Sequence, residues 1–144
     1  MKNLLVALDL KKNEELLLSK AAQIAEKFGA KVWVIHTAAP DSEFRGYEDG
    51  LRYIREVRAK ELRAEHKIIQ KIAEGLREKG IDAEGLLVQG PTVETIMQEV
   101  KKLHIDLMIL GGREPSFFEK ILKGNITSEI LKKAAIPLLI VPLK

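Results

Sequence analysis

The sequence predicts an α/β protein, a doubly wound three-layer sandwich around a five-stranded parallel sheet of order 3-2-1-4-5. Five short apolar runs, at 4–8, 32–35, 83–88, 107–110 and 138–141, punctuate the chain, and all but the third are continuously apolar rather than alternating. Strands covered by helices on both faces need that pattern. Longer segments with apolar residues at helical spacing lie between the runs. The resulting order β-α-β-α-β-α-β-α-β closes into one parallel sheet through right-handed crossovers. At 144 residues the chain is read as a single domain over 1–144, close to the usual domain size of roughly 150 residues.

The first run ends at Asp9. The first crossover helix, over 13–28, carries Leu16, Leu17, Ala21, Ile24, Ala25 and Phe28 at helical spacing, opens on Asn13 as N-cap and stops at Gly29. His36 ends the second strand. The next helical segment, 48–79, would be roughly 48 Å long at about 1.5 Å per residue, more than twice the length of a six-residue strand. Its stripe of Leu62, His66, Ile69, Ala73 and Leu76 is offset from Leu51, Ile54 and Val57, which predicts a break or bend near 58–60. The third run contains Glu84 and Gly85, suited to a strand near a sheet edge. The third helix begins at Pro91 and buries Val93, Ile96, Met97 and Val100. The last helix starts near Gly124 or Asn125, uses Ile126, Ile130 and Leu131, and ends in Lys132 and Lys133, cations that suit a helix C-terminus. Pro137 separates it from the fifth run.

Composition narrows the function. Apolar residues make up 46% and charged residues 31%, and 24 basic against 21 acidic side chains leave a net charge of +3. So slight an excess does not point to nucleic acid. The absence of cysteine removes disulfides, thiol catalysis and Cys-ligated metal sites, and fits a cytoplasmic protein. No apolar run approaches the roughly 20 residues that span a bilayer. The chain has no G-x-x-x-x-G-K-[ST], no G-x-G-x-x-G after its first strand and no G-x-S-x-G. Its histidines, at 36, 66 and 104, lack ligand spacing. They read instead as a loop anchor, half-buried helix packing and a helix-end cation.

A sheet of this order places a ligand site outside the carboxyl ends of its strands, where the winding reverses between strands one and four. Asp9 and the loop after Leu110 lie there. From Asp106 the chain reads Asp-Leu-Met-Ile-Leu-Gly-Gly-Arg, then a loop of about a dozen residues, Gly124-Asn125, and Ile136-Pro137 before the last strand. This layout resembles the universal stress protein family, whose nucleotide-binding members carry G-x-x-G, nine residues and then G-[ST]. Val34-Ile35-His36 and Val88-Gln89-Gly90-Pro91 extend the resemblance over almost the whole chain.

The resemblance implies an adenine nucleotide alpha hydrolase-like fold and a cytoplasmic, homodimeric regulatory or stress-response module. It also implies ATP or another adenine nucleotide as ligand, accompanied by Mg. Asp9 matches the acid that contacts the adenine end, and Thr37 falls where a residue lies beside the base. Gly111 matches the first glycine, with Gly112 beside it in the strand exit, and Gly124 and Asn125 match G-[ST]. Small residues let backbone N–H groups approach phosphate oxygens at a helix N-terminus. Two positions depart from the pattern: Glu114 replaces the second glycine and Asn125 the Ser or Thr. Asn still caps a helix. Glu114 adds a like charge, worth about 3 kcal/mol at about 5 Å in an effective dielectric near 20, or about two orders of magnitude in affinity. In the family the last strand pairs across a dimer, so Leu138–Leu143 is the interface candidate. The alternative is a nucleotide-independent dimeric interaction protein working through Phe117 and Phe118 or the charged helix at 51–79. Enzymatic turnover, as in a slow ATPase, has no general base or metal clamp assigned beyond Asp9, and the chain is read as a non-enzyme.

Overall fold

The structure, a computed structural model, describes residues 1–10, 14–38, 51–90, 92–113 and 126–143. Within them the element order is β1 (Asn3–Ala7), α1 (Glu15–Phe28), β2 (Lys31–Ala38), α2 (Leu51–Glu78), β3 (Ala83–Gln89), α3 (Thr92–Lys102), β4 (Leu107–Arg113), α4 (Ile126–Lys133) and β5 (Leu138–Leu143). The strands form one parallel sheet of order β3-β2-β1-β4-β5. The expected sandwich and strand order are therefore present.

Alternation along each strand sorts the core into two layers. Leu4, Val6, Val32, Val34 and Ile109 meet Leu17, Ala21 and Ala25 of α1 and Ile69, Ala73 and Leu76 of α2 on one face. Leu5, Ile35, Met108 and Leu110 meet Val93 and Ile96 of α3 and Ile130 of α4 on the other. Leu4, Leu5 and Val6 have no exposed surface, which is why the first run shows no alternation.

Several local expectations change. Glu14, not Asn13, is the N-cap of α1, and its side chain makes no capping bond; Asn13 lies outside the described residues. Gly29 closes α1 as expected, with φ 63. Leu16 and Phe28 are exposed, because α1 rests on the sheet through the i, i+4, i+8 series Leu17, Ala21 and Ala25. α2 runs for 28 residues without the interruption expected near 58–60. No proline enters it, and Arg58 pairs with Glu61 one turn on, at 3.4 Å. The apolar residues of α2 that enter the core, Ile69, Ala73 and Leu76, belong to its C-terminal half, while Val57 and His66 are exposed. A phase change in apolar residues need not break the backbone.

β3 is an edge strand, as its Gly and Glu suggested. A Cβ at Gly85 would sit 2.6 Å from Ile69 Cγ2 and 2.9 Å from the Ile69 carbonyl oxygen. The bare backbone there lets α2 lie close, and Gln70 Nε2 donates to the Gly85 carbonyl at 3.0 Å.

Candidate functional site

The sheet opens at its carboxyl rim between β1 and β4. Their pairing ends at Val6 and Ile109, whereas β4 and β5 stay paired through Arg113 and Leu143, and β2 and β3 through Ala38 and Gln89. Hence the two strands part at the point where the winding reverses, the place where open α/β sheets offer a crevice to ligands.

The β1 side of the crevice is tied to β2. Leu8 N–H donates to the Ile35 carbonyl at 2.9 Å, carrying the register one residue past β1. His36 Nδ1 bonds the Leu8 carbonyl, also at 2.9 Å. His36 thus anchors the exit of β1; the loop after its own strand, which it was expected to anchor, lies outside the described residues. The next backbone N–H, that of Asp9, donates to Glu14 Oε2 at 2.9 Å. Leu10 then turns the chain with φ 61, left-handed backbone that non-glycine residues enter only where their surroundings enforce it. The Asp9 residue is exposed, and among the described residues its carboxylate has no partner.

Thr37 shares a strand face with Ile35 and lies opposite Val88 of β3. Its Oγ1 is buried and has no hydrogen-bond partner among the described residues. A hydroxyl in that state costs about 1–3 kcal/mol unless something else engages it. Beside this rim a recess of about 250 Å³ has apolar walls from Leu8, Leu10, Leu18, Ile68 and Ile72.

On the β4 side Gly111 and Gly112 extend the strand beyond β1's reach. A Cβ at Gly111 would stand 2.5 Å from Leu143 Cδ1 and 3.3 Å from its Cγ. Gly111 therefore has a packing role, letting Leu143 close over the strand, besides keeping the rim narrow. Asp9, Thr37, Gly111 and Gly112 all come to the one rim. Gly124 and Asn125 lie outside the described residues, as do Glu114, Phe117 and Phe118.

Glu14 and Glu65 join the rim without having been singled out from sequence. Glu65 Oε2 of α2 is buried, 3.8 Å from His36 Nε2. An acid five residues after Asp9 was the available signal for Glu14; Glu65 gave none, because a helix of alternating charges hides a single inward one. Among the described residues no group of three His, Asp or Glu side chains could hold a metal ion, and no helix is long and apolar enough to cross a membrane.

Comparison with known proteins agrees with this architecture. The Universal stress protein family matches residues 1–142. A universal stress protein A homolog of Haemophilus ducreyi is 29% identical over 99% of this chain and 96% of its own length. The solved structure of the hypothetical protein MJ0577 superposes with a TM-score of 0.80 at 22% identity, covering 99% of this chain and 96% of that one. The universal stress protein from Archaeoglobus fulgidus, solved in complex with dAMP, superposes with a TM-score of 0.67 at 20% identity, covering 100% of this chain and 98% of that one. With its fold, its strand order and a family match over nearly its whole length, the chain belongs to the universal stress protein family.

Proposed function

We propose that the protein is a stress-response regulatory module that binds ATP or a related adenine nucleotide in the crevice between β1 and β4. The observation that carries this is the parting of β1 from β4 beside two polar groups that have no partner among the described residues, the exposed Asp9 carboxylate and the buried Thr37 hydroxyl. A purine offers ring nitrogens and an amino group to such groups; the recess walled by Leu8 and Leu10 lies next to Asp9, on the α1 and α2 side of the sheet. The carboxylates of Asp9, Glu14 and Glu65 gather on the β1 side, so phosphates belong on the other, toward residues 111–113 and the amino end of α4. The dAMP complex of the Archaeoglobus protein supports an adenine nucleotide as the ligand class. Magnesium would arrive on the phosphates rather than on a preformed protein site. Binding without turnover is the activity we assign, and a phosphate-release assay with and without magnesium checks it.

The test is mass spectrometry of freshly purified, denatured protein together with calorimetric titration of ATP, ADP and AMP. Saturable binding below millimolar concentration is expected for at least one of them. No bound nucleotide and no heat at millimolar ligand would overturn the reading. Glu114, at the position of the family's second glycine, favours a second reading in which the dimer works without nucleotide. Glu114→Gly separates the two: it should tighten ATP more than AMP if the side chain faces the phosphates.

We also propose a cytoplasmic homodimer joined along β5. β5 is an edge strand whose Leu138, Leu139 and Ile140 are only partly covered, and an apolar edge needs cover. Val141 and Leu143 belong to the chain's own core, so Ile140→Lys is the cleaner probe. Light scattering should show the mass fall toward that of the monomer, and an unchanged mass would place the interface elsewhere.

A further inference from the structure

The peptide group joining Leu8 to Asp9 is held at both of its polar ends by side chains. Its carbonyl oxygen bonds His36 Nδ1 of β2, and its N–H donates to Oε2 of Glu14, the residue ahead of α1. A carbonyl only accepts, so Nδ1 carries the hydrogen and Nε2 is turned toward Glu65 of α2. Side chains from β2 and from the start of α1 thus converge on one peptide plane, with α2 standing behind the His36 ring. The left-handed turn at Leu10 follows immediately.

We propose that His36 and Glu14 are positioning residues: by fixing the Leu8–Asp9 peptide they aim the Asp9 carboxylate at the base of the bound nucleotide. This rests on the nucleotide reading above. Recognition of a purine edge depends on the donor or acceptor standing within a few tenths of an ångström of its place. Asp9 sits in solvent with no side-chain partner among the described residues, so its backbone must supply that placement. A role confined to packing would change stability, and would lower affinity for every nucleotide alike.

The test combines amide hydrogen exchange of the ligand-free protein by NMR with titrations of AMP and GMP, in Glu14→Ala, His36→Leu and His36→Asn. The Asn side-chain amide places an N–H close to where Nδ1 stands. In the parent protein the Asp9 amide should be protected although its residue is exposed, and it should exchange at least about tenfold faster in Glu14→Ala. The AMP-to-GMP affinity ratio should fall about tenfold in Glu14→Ala and His36→Leu and recover in His36→Asn, one charge-assisted or buried hydrogen bond being worth roughly that factor. If Glu14→Ala does not fold, Glu14→Gln keeps the acceptor oxygen without its charge and should give a smaller change of the same sign. An unprotected Asp9 amide in the parent, an unchanged ratio, or equal losses for AMP and GMP would overturn the proposal. If the parent binds neither nucleotide while its Asp9 amide is protected and released by Glu14→Ala, the nucleotide reading fails and the positioning role with it, although the clamp on the peptide remains.

Discussion

The two rims of the sheet treat their polar groups in opposite ways. At the amino rim Asp106 accepts the backbone N–H groups of Lys2 and Asn3 at 2.7 and 2.9 Å, and Asn3 Oδ1 accepts Trp33 Nε1 at 3.2 Å. Lys31 lies 3.0 Å from Glu84 and 4.2 Å from the centre of the Trp33 ring. Each of these groups answers another. At the carboxyl rim β1 and β4 part, neither the buried Thr37 hydroxyl nor the Asp9 carboxylate has a partner among the described residues, and Leu10 is twisted into left-handed backbone. One rim joins strands; the other gives up local stability in the place where a ligand can use what is left unpaired.

The largest effect expected from disturbing this contrast comes through α2, which carries Glu65 to the carboxyl rim. Ile69 has no exposed surface and lies against Gly85 of β3. Ile69→Ala removes buried carbons and leaves a cavity that backbone on both sides can only partly close, so a loss of about 2–5 kcal/mol is expected. The urea midpoint measures it. Amide exchange should also show the exit of β1 loosening before the Lys2 and Asn3 amides do. If both rims loosen together, the contrast between them is one of composition and not of mechanical support.

Much of this was legible in the sequence, and the reason differs from residue to residue. The strands were visible because two covered faces demand continuous apolar runs, and Gly29 marked the end of α1 because its conformation is local. Asp9 was legible from its place after the first run. Glu14 and Glu65 were not: the role of Glu14 depends on the left-handed turn at Leu10, which no residue preference assigns to leucine, and that of Glu65 depends on which side of a 28-residue helix meets His36. The expected break in α2 failed for a similar reason. An offset in the apolar stripe is compatible with one continuous helix, whereas periodicity alone reads it as a kink.

An intermediate effect, of the opposite sign, is expected at Thr37. Thr37→Val keeps the shape and deletes a buried hydroxyl that has no protein partner among the described residues, so stability should rise by about 1 kcal/mol. AMP affinity should fall in the same variant if the hydroxyl serves the ligand. Calorimetry of the free protein and of the titration reads both numbers. A variant that is less stable, with AMP binding unchanged, would mean that the hydroxyl finds its partner inside the protein and that the carboxyl rim is as satisfied as the amino one.

The smallest effect belongs to the amino rim and is distinguished by its pH dependence. The Lys2 N–H first, and then the Asn3 N–H, hold the Asp106 carboxyl below the ordinary aspartate value of 3.8. The folded protein therefore gives up this proton more readily than the unfolded chain, and the unfolded state binds more protons in that range. The stabilisation from the group is complete above the ordinary value and is lost as pH falls through the lower, folded one. Asp106→Asn replaces the charged acceptor by a neutral one at an exposed position, so its melting temperature near pH 7 should lie only slightly below that of the parent. That gap should close as the pH is lowered beneath the ordinary aspartate value. A gap that stays constant to about pH 2 would mean that shape rather than charge joins Asp106 to the chain's first residues, and the amino rim would then lack the charged pairing that sets it apart from the site across the sheet.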